Sequence, residues 1–139
     1  MAFDTLPVVE YPDPILRQVC EECDIKDKSL KKLAKQMAKT MYKNNGCGIA
    51  APQVGVLRRV VVIETEESGL LELINPKIIA YSGVQEEEEG CLSLPGRWGI
   101  TRRPMHVTVR ALNRRGESFD VTGSGLLARA FCHEIDHLD

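Results

Sequence analysis

The chain has 139 residues, which is enough for one domain with a hydrophobic core and leaves little room for a second domain. Hydrophobic residues make up 43% and charged residues 27%, as in an ordinary globular protein, and the net charge of −2 gives no overall basic footprint for nucleic acid. No apolar run of about 18 residues and no signal-peptide pattern is present, so we expect a cytoplasmic protein that does not span a membrane.

The first predicted elements along the chain are helical. Asp13 and Pro14 favour a helix start, because proline in the first turn needs no hydrogen-bond partner for its nitrogen. Apolar residues recur at helical spacing from Leu30 to Met41 and predict an amphipathic helix over residues 28–44.

The middle of the chain has the patterns of strands and turns. Four glutamates at residues 86–89 predict a solvated turn or an edge strand. The other strand and turn patterns lie at residues 59–65, at 71–80 with an interruption at Asn75-Pro76, at 107–112, at the turn 113–116 and at 118–122. From residue 125 onward the periodicity is helical again. We therefore predict an α+β fold, with mixed or antiparallel β-sheets packed around a C-terminal helix and an amphipathic helix near the N-terminus.

The C-terminal helix carries the motif H-E-x-x-H at His133, Glu134 and His137. Residues at i and i+4 share a helical face, so both imidazoles can bind one metal ion while Glu134 acts on a water as a general base. Leu126 and Ala130 line up with the two histidines in one stripe, which predicts that the histidines face inward. Unpaired polar groups are costly there. The alternative interpretation is a pair of hydrogen-bonded core histidines.

The position of the motif predicts where a third ligand lies. Only Leu138 and Asp139 follow His137, so we expect a third protein ligand from upstream, and a cysteine is the natural candidate. In a cytosolic chain the cysteines are expected to be reduced, metal-bound or packed. The chain has five of them: Cys20, Cys23, Cys47, Cys91 and Cys132.

Two glycine-rich segments precede the helix. Residues 46–55, GCGIAAPQVG, allow close approach of another backbone, and Gln53 could donate a hydrogen bond to a developing oxyanion. Residues 89–96, EGCLSLPG, place Cys91 beside a glycine. Taken alone, the first segment is typical of a loop that ends a helix, and Cys91 of a small buried hydrophobic residue.

Together and in this order, GCGIAAPQVG, EGCLSLPG and HEIDHLD resemble the motifs of the peptide deformylase family. The resemblance extends to the N-terminal YPDPILR and so spans nearly the whole chain. It implies a single catalytic domain over residues 1–139. It also implies a metal-dependent hydrolase, an amidase, that removes the formyl group from the N-terminal formyl-methionine of newly synthesised polypeptides and releases formate. Many bacterial members continue past this helix, so we expect that a C-terminal tail is absent here.

The resemblance also implies residue roles. Cys91, His133 and His137 would be the metal ligands, and Glu134 would be the general base and later the acid that protonates the leaving amine. Gln53 and the backbone N–H of Leu92 would hold the oxyanion. Gly46 and Gly48 would lie along the bound peptide in the manner of strand addition, and Cys47, Leu92, Arg129 and Ala130 near the methionine side chain. The implied substrate-binding residues are Gly46, Cys47, Gly48, Ile49, Glu89, Gly90, Arg129 and Ala130.

The implied cofactor is one Fe²⁺ per chain, with Ni²⁺, Co²⁺ or Zn²⁺ as substitutes, and a thiolate with two imidazoles is compatible with each. The implied partners are formyl-methionyl peptides or nascent chains and, from the family's task, the ribosome. No direct nucleic-acid binding and no membrane partner are predicted. The sequence indicates no role for Cys20, Cys23 or Cys132.

Three alternatives remain. A small H-E-x-x-H peptidase would cleave an unformylated peptide, although Cys91 within EGCLS argues against it. A structural zinc module would combine Cys20 and Cys23 with the two histidines, across a gap that far exceeds the usual ~12–15 residues. A relative without activity is not indicated, because Glu134, Gln53 and the three ligands are all present.

Overall fold

A computed structural model describes residues 5–10, 13–24, 26–44, 46–91 and 93–139, with the backbone alone for Arg17 and residues 94–97. In this part of the chain two α-helices and seven strands form an α+β fold, which confirms the predicted class. No helix in it is long and apolar enough to cross a membrane. The elements are α1 (Ser29–Lys43), β1 (Gly48–Ala50), β2 (Val60–Thr65), β3 (Gly69–Ser82), β4 (Gln85–Cys91), β5 (Leu94–Arg103), β6 (His106–Leu112), β7 (Ser118–Ser124) and α2 (Leu126–Asp136).

The N-terminal helical predictions are confirmed. Pro14–Arg17 form a short 3₁₀ helix, and the Asp13 side chain caps it by accepting a hydrogen bond from the Ile15 N–H. Helix α1 matches the predicted range to within a residue at each end. It buries one face, which includes Met37 and Met41, against β1 and β2, because its apolar residues recur at helical spacing.

The main sheet has five antiparallel strands in the order β1-β2-β3-β6-β7. β1 pairs with β2 through Gly48 opposite Ile63, and its other side is the open edge of the sheet in the described part of the chain. The interruption predicted at Asn75-Pro76 is a bulge within a continuous β3. Asn75 has a φ of 52°, and the β3–β6 register shifts between Ile74 and Lys77.

A separate two-stranded sheet, β4 paired antiparallel with β5, carries the four glutamates at residues 86–89. An edge strand was one of the two predictions there, and it is confirmed because a two-stranded sheet consists of edges only. The first three glutamates are exposed and Glu89 is partly buried. β4 ends at Cys91, so this ribbon delivers the cysteine of the EGCLS segment.

Helix α2 packs against the five-stranded sheet. Leu127, Phe131 and Ile135 are buried in a cluster with residues of β2 and β6, and each such side chain contributes about 1.5–3 kcal/mol by leaving water. Leu126 was predicted to be the first residue of the inward-facing stripe, but its side chain is 49% exposed. The inward face of α2 therefore lies one residue further along the chain, and the histidine stripe is at the boundary between core and solvent.

Candidate functional site

Cys91, His133 and His137 come together where the end of β4 meets α2. One ligand atom from each lies within 4.8 Å of the others. The two Nε2 atoms of His133 and His137 are 3.3 Å apart, and Cys91 Sγ is 3.4 Å from His137 Nε2. The one-turn spacing on α2 brings the imidazoles to the same side, and the ribbon supplies the sulfur from the other.

This donor set fits a divalent transition metal. A thiolate and two imidazoles suit Fe²⁺, Ni²⁺, Co²⁺ or Zn²⁺, and three protein ligands leave a position open for water. The His133 Nδ1 is 3.1 Å from Glu89 Oε1, which turns Nε2 toward the other two ligand atoms. In the described residues Cys20 and Cys23 are not part of this group, contrary to the structural zinc alternative.

The charges in the group favour an ionised sulfur. Burial opposes ionisation of Cys91, but hydrogen bonds from His133 and His137 outweigh it and lower the pKa of the thiol to about 5. Burial likewise opposes the charge on His133, yet the Cys91 sulfur and the neighbouring carboxylates raise its pKa to about 9. The cysteine is therefore in the form that binds metals at neutral pH.

Glu134 lies beside this group and is 5% exposed. Burial raises the pKa of its carboxyl to about 7, against the opposing effect of His133 and His137. A carboxyl with a pKa near the working pH is suited to accept and return a proton. In the described part of the chain Oε1 is buried without a hydrogen-bond partner, so a polar group brought into the site would satisfy it.

The open edge of β1 runs past Glu134. A Cβ added to Gly48 would lie 2.6 Å from Glu134 Oε2, so only glycine leaves room for the carboxylate at this distance. The Cys47 carbonyl accepts a hydrogen bond from the Glu64 N–H of β2. Because antiparallel strands alternate in the direction of their backbone groups, Gly48 turns its N–H and C=O away from β2, toward the open edge.

Gln53 is almost fully buried and links β1 to the ligand group. Its Oε1 accepts a hydrogen bond of 2.9 Å from the Ala50 N–H, which fixes the orientation of the amide. Its Nε2 then points to the site and donates to Cys91 Sγ and Ser93 Oγ, each at 3.3 Å. A donor held in this way can serve a developing negative charge next to the sulfur. The predicted role of the Leu92 N–H lies outside the described residues.

Glu89 has different contacts from those expected of a substrate-binding residue. Its side chain is 10% exposed and its Oε1 contacts both His133 Nδ1 and Arg103 Nη2, the latter at 3.4 Å. Thr101 donates a hydrogen bond to Oε2. Arg103 also bonds Asp136 of α2 at 2.5 Å. Although burial opposes ionisation, these partners hold the pKa of Glu89 below its usual value. The Glu89 carboxylate thus contacts His133 on the ring nitrogen that faces away from the other two ligand atoms.

The remaining predicted substrate-binding residues are distributed around the same region. The Gly46 N–H is bonded to the Met41 carbonyl and so ties the segment to the end of α1. Arg129 bonds Gln85 of β4 at 3.2 Å. Cys47 is exposed, Gly90 packs beneath the ring of Trp98, and the side chains of Ile49 and Ala130 belong to the buried core.

Sequence reasoning missed three residues that organise the site. Ser93 is 2% exposed and its Oγ accepts a hydrogen bond from the Gln53 amide, and its position within the EGCLS segment was a signal that could have singled it out. Thr101 and Arg103 hold Glu89 from β5. No sequence signal identifies them, because the contact depends on the pairing of β4 with β5.

Comparison with known proteins gives consistent matches over the chain. The model of a family described as polypeptide deformylase matches residues 5–139. A peptide deformylase of Acetivibrio thermocellus is 57% identical over 130 residues, which are 94% of this chain and 76% of that protein. The crystal structure of a peptide deformylase from Thermotoga maritima has a TM-score of 0.92 at 36% identity, over 96% of this chain and 91% of that one. A Met-Ala-Ser bound class I type b peptide deformylase from Acinetobacter baumannii has a TM-score of 0.90 at 33% identity, over 96% and 92%.

Proposed function

This chain belongs to the polypeptide deformylase family, and on that premise we propose that it removes the formyl group from the N-terminal formyl-methionine of newly made polypeptides and releases formate. The enzyme is a hydrolase of the peptide deformylase class. We propose further that residues 1–139 act as one catalytic domain. The observation that carries the mechanism is the buried Glu134 carboxylate between the Cys91–His133–His137 group and the Gly48 backbone.

The proposed metal ligands are Cys91, His133 and His137, and the proposed metal is Fe²⁺, with Ni²⁺, Co²⁺ or Zn²⁺ as substitutes. A divalent metal held there supplies a Lewis acid that makes hydroxide available from water at neutral pH. The residues of the chain then determine what this chemistry acts on.

Glu134 transfers protons during the reaction, and Gln53 stabilises the negative charge that develops on the carbonyl oxygen. The Glu134 carboxylate accepts a proton from the attacking water while the water oxygen bonds to the formyl carbon. The Gln53 amide donates a hydrogen bond to the carbonyl oxygen as its negative charge grows, and its orientation is already fixed by Ala50. Glu134 returns the proton to the departing nitrogen as the C–N bond breaks, which leaves formate and a free α-amine.

The peptide would lie along the open edge of β1. Gly48 directs its backbone N–H and C=O there, so an extended peptide can pair with it as an added strand next to Glu134. The relative with bound Met-Ala-Ser supports a peptide that begins with methionine. A formyl carbon carries only hydrogen, so a narrow site can distinguish it from an acetyl group by shape. We propose that the substrates are nascent chains, that the reaction takes place in the cytoplasm, and that the ribosome is a partner.

The direct test follows formate release from formyl-Met-Ala-Ser by protein loaded anaerobically with Fe²⁺ and analysed for bound metal. We expect metal near one per chain and release of formate, with no hydrolysis of acetyl-Met-Ala-Ser or of unformylated Met-Ala-Ser. Cleavage of the unformylated peptide would instead support the H-E-x-x-H peptidase. Full metal loading without formate release would contradict the proposed function.

Glu89→Gln is expected to weaken metal binding by roughly 10–100-fold, because the residue that orients a metal-binding histidine loses its negative charge. The readout is metal affinity, measured by competition with a coloured chelator. Glu88→Gln is the matched control, since Glu88 is the exposed neighbour on the same strand. Equal affinities for the Glu89 and Glu88 variants would show that Glu89 does not position His133.

A further inference from the structure

The exposed face of α1 carries a continuous row of lysines. At 100° per residue the members fall within an arc of about 120°, and the row is about 22 Å long at 1.5 Å per residue. All of them are exposed, and the opposite face of the helix packs on the sheet. We call this set the lysine row: Lys28, Lys31, Lys32, Lys35, Lys39 and Lys43.

The lysine row lies in a stretch of the chain from which acidic residues are excluded. Residues 28–63 contain eight of the 18 basic residues and none of the 20 acidic ones. The net charge of −2 is therefore the sum of a charge of +8 in this segment and −10 in the rest of the chain. Arg58 and Arg59 of this segment are paired with Asp27 and Asp139, and its other six basic residues are the lysine row, which produces a positive potential over the exposed face of α1.

This arrangement works against the stability of the helix that carries it. Lysines three or four residues apart repel each other, and the carboxylate that complements the dipole of α1 is that of Asp27, which lies before the first turn and accepts a hydrogen bond from the Ser29 N–H. In the described part of the chain neither Lys31, Lys32 nor Lys35 forms an ion pair with a carboxylate. A face that served solubility alone would be more stable with both signs of charge, so the row points to a binding role.

We propose that the lysine row binds the phosphate backbone of RNA, largely independently of base sequence. A series of ammonium groups along about 22 Å matches a polymer with a regularly repeated negative charge, since lysines neutralise phosphates and release counterions. The expectation from the sequence that the protein does not bind nucleic acid directly was based on the total charge. The proposal differs from that expectation because it is based on the local concentration of basic residues on α1.

The composition of α1 favours RNA over an anionic membrane. Helices that bind membrane surfaces insert an apolar face into the lipid, whereas the apolar face of α1 is already packed on β1 and β2. Of its large hydrophobic side chains, Tyr42 is exposed at 47%. A surface of lysine stems and ammonium groups without aliphatic anchors is suited to phosphate contacts.

The lysine row also leads to the proposed peptide site. Its last member, Lys43, is followed within a few residues by Gly46, whose N–H is bonded back to Met41 of α1. The chain then enters β1, whose open edge passes Glu134. The lysine row is therefore connected to β1 through the short segment that follows Lys43.

The test is a titration of metal-loaded protein into two fluorescent single-stranded RNA oligonucleotides of unrelated sequence, followed by anisotropy at several salt concentrations. The row variant is Lys32→Glu/Lys35→Glu. The matched control is Lys77→Glu/Arg115→Glu, which changes the net charge equally at exposed residues of β3 and of the β6–β7 turn. Lys32→Gln/Lys35→Gln separates loss of the positive charge from added repulsion. Formate release and thermal unfolding establish that each variant is folded.

We expect similar affinity for both RNA sequences and a loss of roughly tenfold or more in the row variant, with the log–log salt slope reduced by about 0.7 per lost phosphate contact. The glutamine variant should show a smaller loss in the same direction, and the control should bind as the wild type does. Absence of binding by the wild type, or an equal loss in the control, would overturn the proposal. Tighter binding to vesicles with anionic lipid, or to polyglutamate, would also overturn it and indicate a membrane or an acidic protein.

Discussion

Glu134→Gln is expected to lower the rate of formate release from formyl-Met-Ala-Ser by about 10²–10⁴-fold, with bound metal unchanged. The reason is that glutamine keeps the size of the side chain but cannot accept a proton, so general base and acid catalysis is lost together. The oxyanion contact from Gln53 and the three proposed ligands remain in place, so a residual rate should persist. The measurement is single-substrate kinetics together with metal analysis of the same preparation.

The metal analysis separates this role from a structural one. Glu134 is 5% exposed and lies beside His133, so a variant that distorts the site would lose metal as well as activity. Retained metal with a normal KM and a reduced kcat identifies loss of proton transfer alone. Retained metal with a wild-type rate would show that Glu134 is not the base.

Cys91→Ser is expected to reduce bound metal far below one per chain and to abolish formate release at the same metal concentration. A serine hydroxyl stays protonated at neutral pH, whereas the pKa of the Cys91 thiol is lowered to about 5, so the variant replaces an anionic ligand with a weak neutral one. Metal titration of protein prepared without metal gives the affinity directly, and thermal unfolding checks that the variant is folded.

Cys20→Ser is the control for this change, because Cys20 is as well buried as any cysteine of the chain but lies outside the ligand group. We expect its metal content and activity to match those of the wild type. The opposite pattern, metal that survives Cys91→Ser and is lost on Cys20→Ser, would reverse our assignment and support the structural zinc module.

The elements that were predicted from the sequence are those whose buried residues follow a period or form a continuous apolar run. α1 and α2 present apolar residues at helical spacing, and β2 is a compact run of β-branched residues. β1 was not predicted because it has three small or apolar residues and follows a glycine-rich stretch. β5 was not predicted because Trp98 and Ile100 are exposed and Gly99 lies between them, so no alternation marks one face.

The site residues that lie within short contiguous motifs could be predicted from the sequence. His133, Glu134 and His137 are related by helix geometry alone, and Cys91 and Gln53 were implied by the family resemblance. The partner of His133 was not predictable, since Glu89 reaches it through the β4–β5 pairing and the contact of that ribbon with α2. Glu89 was predicted to be a substrate-binding residue, and in the structure its carboxylate contacts the imidazole of His133.

The separate ribbon of β4 and β5 has a consequence for how the enzyme opens. A two-stranded sheet is marginal by itself, so this one relies on its contacts with α2, which include the bonds of Arg103 to Asp136, of Arg129 to Gln85 and of Glu89 to His133. Local unfolding of the ribbon would carry Cys91 away while both histidines stay with α2. With a metal held by the three proposed ligands, we expect release of the metal and hydrogen exchange of the ribbon amides to occur at the same rate, because the metal would cross-link the ribbon to α2.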